Sequence, residues 1–403
     1  MTDAHATGLA GARLTLHYQI VRRDDLCLSP AADMVLSIAS GELQHRVRLD
    51  GADWLGGVAC HGLGFAVSDA AGPDALAAKL AAQTARANEI LTPLGGRLLP
   101  GGSHPFMDPA RETWIWNHDQ AEVFAAMDRV CGLKSQAWSN QGYAGIRVPY
   151  ENDEDFGRTF TALRLLAALI PALAASSPLT DGIDRGRFSE RVLAFCDRGR
   201  NLPDLAGPLP APAATPGEYR DKELGPLRAA LARLDPEGLV APGRLALRGV
   251  RLEEGTDSIV CDLCDLQECP RADLAVAELI WHALDRLRAS DAVPAGQPSS
   301  AVLEALLRDT ASLGPEAVIG EASVLRALGL GARPMTAGQA WQELARGCHF
   351  TPAAAEAAAW IAAKGTLAGR IRRALGEDHS LENIRRVYGR LCDCLATGTL
   401  FDA

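Results

Sequence analysis

Apolar and polar positions first alternate at residues 13–23, RLTLHYQIVRR, and period-two alternation in a stretch rich in β-formers predicts a strand. Residues 57–68, GVACHGLGFAVS, read as a second strand interrupted by glycines. The pattern then changes. Residues 73–91 are alanine-rich, with proline in the first turn and Pro93 and Gly95 just beyond, which predicts a helix. Residues 97–99 form a short strand running into GGSHPF, and residues 136–150, QAWSNQGYAGIRVPY, predict another. The acidic run after it, ENDEDF, suits the positive end of a helix dipole, so a long helix is expected over 153–175.

Further on, 201–215 is proline-rich and reads as a surface loop. Residues 245–252 and 257–264 look like a pair of strands, and 271–288 like an amphipathic helix. SDAVPAGQPSS, from residue 290, has the character of a linker, and the last hundred residues are helical and rich in Ala, Leu and Arg. The expected class is α+β: about six strands in one antiparallel or mixed sheet, with helices on one side. Residues 1–288 are expected to form that unit, and 289–403 a helical region packed on it.

Composition removes some function classes. The 403-residue chain carries a formal charge of −10, only four lysines and no dense basic block, which argues against a nucleic-acid partner. No run reaches about 18 apolar residues, so no membrane span is expected. LLAALIPALAA, 165–175, comes nearest, but it is short and holds a proline. The opening MTDAHATGLAGARLTL lacks the pattern of a secretory leader. Ten scattered cysteines then read as reduced thiols of a cytoplasmic protein.

An ordered set of motifs changes the picture. GGSHPF (101–106) is followed by ALAASSP (172–178), then TDGIDRGRFSERV with its Ser189-x-Arg191, then GTDSIVCDLCDLQ near the end of the sheet. In this order they resemble the glutamate–cysteine ligase superfamily, in its bacterial carboxylate–amine ligase and plant-type branches. The resemblance covers roughly residues 13–287 and implies a glutamine-synthetase-like fold. It also implies ATP-dependent joining of an amino-acid carboxylate to an amine, with Mg²⁺ bridging the phosphates and arginines neutralising charge. By the same resemblance Ser189 and Arg191 face a nucleotide, with the small-residue helix and glycine turn closed over it. Arg191 and Arg147 stand as the candidate catalytic arginines.

Hard Mg²⁺ needs oxygen ligands, and the resemblance implies that the family supplies glutamates on alternate strand positions, helped by His, Asn or Gln. Here the matching positions of the first strand hold His17 and Gln19, which period-two geometry places on one face. The second strand offers Gly64, with His61 the nearest polar residue. The central strand fits in two registers, Gln141 with Tyr143 or Gly145 with Arg147, the second needing no gap. The last strand gives Val260 and Asp262, followed by Asp265 and Gln267. Asp262, Asp265 or Glu268 could take over metal binding.

Other constellations stand beside these. Cys261, Cys264 and Cys269 could join His17 and His61 in a soft site for Zn²⁺ or Fe. Otherwise the first two thiols are buried strand residues on opposite faces. TWIWNHDQ could set Trp116 and His118 as walls of an amino-acid pocket, or use its tryptophans as anchors to the core. His104 is either a pocket residue or a structural histidine. Three functions therefore remain open: a diverged ligase using ATP and Mg²⁺, a non-catalytic binding or partner subunit, and an enzyme with a Cys/His metal site. The expected partners are a small amino acid or amine, a second copy, or an enzyme, but neither nucleic acid nor membrane.

Overall fold

The computed structural model describes residues 11, 13–67, 72–202, 205, 207–290 and 297–403. Most of the segment read for a leader, Ser68, and residues 291–296 of the linker lie outside the described residues.

Strand β1 (Arg13–Arg22) buries Leu14, Leu16, Tyr18 and Ile20 on one face and turns Thr15, His17 and Gln19 to the other. It lies in the middle of an eight-stranded sheet with β2 (Arg46–Leu49), β3 (Ala52–Gly56), β4 (Gly62–Val67), β5 (Gly96–Leu99), β6 (Tyr143–Pro149), β9 (Val250–Glu253) and β10 (Ser258–Asp265). The order is β2-β3-β4-β1-β6-β10-β9, every neighbouring pair is antiparallel, and β5 pairs with the last part of β1. The expected six strands become eight because β2 and β3 form a hairpin. Asp50 and Gly51, at φ 48° and 78°, make the two-residue turn whose twist matches the strands it joins.

Among the helices α1 (Ala32–Ser40), α2 (Pro73–Leu91), α3 (Pro109–Glu112), α4 (Ala121–Cys131), α5 (Asp153–Ala167) and α6 (Ile170–Ala174), the expected 153–175 helix is cut in two. Pro171 lacks an N–H and its ring collides with a preceding helical turn, so the chain starts afresh. A small ribbon, β7 (Leu179–Thr180) and β8 (Ile183–Asp184), precedes α7 (Glu190–Phe195), α8 (Pro216–Tyr219), α9 (Gly225–Leu234) and α10 (Pro270–Arg288). Helices α2, α5 and α10 cover the Leu14/Leu16/Tyr18 face and enclose the main core.

Residues 136–142 are a turn rather than the start of a strand, because Trp138 and Ser139 donate back to the Ser135 carbonyl. The C-terminal part supplies α11 (Ser300–Leu313), α12 (Ala322–Ala327), α13 (Ala337–Leu344), α14 (Pro352–Lys364), α15 (Leu367–Leu375) and α16 (Leu381–Thr397), with a ribbon of β11 (Val318–Ile319) and β12 (Met335–Thr336). It packs on α2, α6, α7, α10 and β5, and contributes to the same core. Among the described residues no helix is long and apolar enough to cross a membrane.

Candidate functional site

The helices leave the other face of the sheet for chemistry. Register places His17 opposite Tyr143 on β6 and opposite Gly64 on β4, and Thr15 opposite Gly145. Tyr143, Gly145 and Arg147 therefore share one face, so both registers considered for the central strand lie on it. The His17 ring stacks on Tyr143, with centroids 4.2 Å apart and planes 16° off parallel. It also fills the space above Gly64, where a Cβ would stand 2.6 Å from Nδ1. At Gly145 a Cβ would meet Asp262 Oδ1 at 2.9 Å. The room over both glycines is thus taken by neighbouring side chains.

A cavity of about 420 Å³ opens on this face, lined among others by His17, Gln19, His45, His61, Trp138, Gln141, Tyr143, Arg198, Arg244, Arg251 and Asp262. Asp262 is ion-paired with Arg251. Burial drives the His17 pKa down to about 4, with Arg251 and His45 pushing the same way against the pull of Asp262. Burial likewise brings His61 to about 4, against its hydrogen bond to the Ser139 carbonyl. His45 is also lowered, first by burial. His17 and His61 are therefore neutral at physiological pH, so the positive charge of the cavity comes from arginine.

Beside it lies a second cavity of similar volume, lined by Ser103, Asn140, Asp181, Arg187, Glu190, Arg191 and Arg308 among others. Its wall is organised by a buried carboxylate. Asp265, at the end of β10, accepts from Ser176 N (2.9 Å), Ser177 Oγ (2.7 Å), Ser189 Oγ (3.0 Å) and Arg191 Nε (2.6 Å). The Ser-Ser-Pro and Ser-x-Arg motifs are therefore two sides of one hydrogen-bonded knot. The small residues belong to it: a Cβ on Gly102 would enter the Asp265 carboxylate at 2.6 Å, and one on Gly142 would stand 2.1 Å from the Gly101 carbonyl oxygen. Ser103 Oγ, Glu190 Oε1 and Arg191 Nη2 are buried without a hydrogen-bond partner. Burial raises the Glu190 pKa, against the Arg187 guanidinium.

The structure brings His17, Gln19, His61, Gln141 and Asp262 together on the first cavity, and puts Arg191 on the second. Ser189 is buried and caps α7 by accepting from Val192 N. Other candidates are placed elsewhere. Arg147 is ion-paired with Glu253 and is not on either cavity wall. His104, open between a pocket and a structural role, lines neither cavity, and both its ring nitrogens are engaged, Nε2 with the Leu26 carbonyl and Nδ1 with Phe106 N–H. Trp116 and His118 stand behind the cavity rather than on it. The Trp116 indole donates to Asp119, its ring meets His45 edge-on, and His118 pairs with Asp33.

The proposed thiol–imidazole metal site does not assemble. Cys261 and Cys264 pair with Ile146 and Ala144 and lie in the core under the helices, across the sheet from His17. A bulge between them adds the residue that puts both on one face, where strict alternation would separate them. Burial raises Cys261 to about 12 and Cys264 well above its ordinary value. Among the described residues no three His, Cys, Asp or Glu side chains come together as a metal site. Sequence reasoning missed His45, Trp138, Arg198, Arg244 and Arg251, which arrive from loops and from β9 without a motif to mark them.

Sheet, covering helices and open face define an α+β protein whose fold is similar to that of a solved glutamate–cysteine ligase. In sequence the chain resembles the glutamate–cysteine ligase family: the model described as Glutamate-cysteine ligase family 2 (GCS2) matches residues 68–214. A protein of Archaeoglobus fulgidus, described as uncharacterized, is 24% identical over 200 residues, 48% of this chain and 52% of its own. The chain thus spans about half the length of that curated relative. Glutamate–cysteine ligase from Francisella tularensis, solved in complex with AMP, shares the fold at a TM-score of 0.65 and 11% identity, over 94% of this chain and 88% of that one. A complex of the ubiquitin-like protein Pup with its ligase PafA overlays at a TM-score of 0.42, with 11% identity, over 97% of this chain and 66% of that one.

Proposed function

We propose that this chain is a ligase-fold protein of ligase ancestry that binds a small anion on the open face of its sheet and does not perform ATP-dependent amide formation. One observation carries the reading. The strands where the family resemblance expects paired glutamates hold His17, Gln19 and Gly64, the central strand offers Gln141 with Tyr143 or Gly145 with Arg147, and the one carboxylate lining the cavity among the described residues, Asp262 on the last strand, is ion-paired with Arg251. These residues do not fit Mg²⁺, which takes hard oxygen ligands and is repelled by guanidinium. Nor is there room for a simple restoration, since His17 and Asp262 fill the space above the two glycines.

The competing reading, an active ligase, draws on the second cavity, where Arg187, Arg191 and Arg308 could receive a phosphate group. Isothermal titration with ATP, in Mg²⁺ and then in EDTA, separates the two. The expected result is no Mg²⁺-dependent binding and no ADP release with a panel of amino acids and amines. Tight, Mg²⁺-dependent binding would overturn the proposal.

A further inference from the structure

The first cavity has a specific imbalance of hydrogen-bonding groups. Four arginines reach it against one carboxylate: Arg46 is paired with Asp53 and Arg251 with Asp262, while Arg244 donates to the neutral Gln120. Arg198 is buried and donates only to neutral oxygens, those of Ala137 (2.8 Å), Ala246 (3.0 Å) and Gln141 Oε1 (3.3 Å). These bonds use three of its five N–H groups. It lies 4.6 Å over the Trp138 ring, whose buried indole N–H has no partner. That part of the wall offers positive charge and a donor.

Two residues that line the cavity, Gln19 and His61, each keep a buried acceptor without a partner, Oε1 and Nδ1. Their roles follow from their neighbours. Asn140 Oδ1 already accepts from His104 N–H (2.7 Å), so Gln19 must turn its Nε2 toward it and keep Oε1 as an acceptor. The Ser139 carbonyl can only accept, so the His61 proton sits on Nε2 and Nδ1 presents a lone pair. Both acceptors are neutral. An ammonium group placed against them would join a cluster of guanidinium groups with no unpaired carboxylate to receive it.

We infer that the cavity takes a carboxylate whose neighbouring nitrogen is a neutral amide N–H, an N-acyl amino acid, in preference to the free amino acid. The carboxylate meets Arg198 and the Trp138 N–H, and the amide N–H meets Gln19 and His61. This inference rests on the anion-binding reading above. It goes beyond it by setting the charge state of the ligand's nitrogen, which needs no metal and no nucleotide.

The test titrates the full chain with three probes sharing one carbon frame: propionate, L-alanine and N-acetyl-L-alanine. N-acetyl-L-alanine is expected to bind at least tenfold more tightly than L-alanine, with propionate also binding. Arg198→Met should lose at least tenfold for both anions, and Gln19→Glu should move the preference toward L-alanine. L-Alanine binding as well as or better than its acetylated form would overturn this inference while leaving anion binding intact. If none of the three binds, the anion-binding reading falls with it. The wild-type ranking decides even if a variant does not fold.

Discussion

Asp265 shows how much one side chain can organise. It is 1% exposed and holds Arg191, whose side chain is fully buried, together with two serine hydroxyls and a backbone amide. Removing one partner of such a pair leaves an uncompensated buried charge, so Asp265→Asn should cost about 3–5 kcal/mol, measured by chemical denaturation. The thiols give a second test. With Cys261, Cys196 and Cys269 each raised by burial to about 12, none should react with a thiol reagent at pH 8 until the protein is unfolded. Part of this scale was legible in the sequence. Ser189 and Arg191 announced themselves as a motif, whereas Arg198 and Trp138 did not, because nothing in local spacing says which loops converge over a sheet.

At the scale of elements, regular patterns were read correctly where one period ran unbroken. The helix at Pro73–Leu91 and the strand opening at Arg13 are examples. The β2–β3 hairpin was missed although its signal is present: Arg-Val-Arg-Leu alternates, Asp-Gly follows, and Ala-Asp-Trp-Leu-Gly returns. A four-residue strand carries too little pattern to outweigh its neighbours, and the Asp-Gly turn is the stronger signal of the two. The bulge in β10 was not legible at all, since an extra residue in a ladder is defined by its partner strand. Close backbone approach is an element-level property too. Gly142→Ala would drive a Cβ into the Gly101 carbonyl, and the loops at both cavities meet there. It should lower the unfolding free energy, read by chemical denaturation, by more than the about 1 kcal/mol typical of point mutations.

For the whole molecule, acid is the informative stress. His17, His61 and His104 each fall to about 4 through burial, from an ordinary 6.5. The folded state keeps them neutral while the unfolded chain takes up their protons below about 6.5. Their contribution is therefore fully present above pH 6.5 and is lost as pH falls toward 4, with up to three protons taken up on unfolding. Denaturant midpoints measured from pH 7.5 to 4.5 should fall steeply over that window. Loss of the slope in a His104→Asn background by about one proton would identify that site's share. The acidic chain as a whole, at −10, gives no hint that its open face is rich in arginine, because net charge averages over the surface.

The seam of the sheet has a consequence for the order of events during synthesis. β1 must wait for β6, more than a hundred residues later, and β6 must wait for β10, about as far again. Pairings so distant along the chain form slowly. Until residues 258–265 are made, β6 is an unpaired edge and Arg191 has no Asp265 to meet, so the half-made sheet is adhesive. Nascent chains arrested near residue 250 should pellet on release from the ribosome unless a chaperone holds them. Chains that extend past residue 265 should close that edge and pellet less.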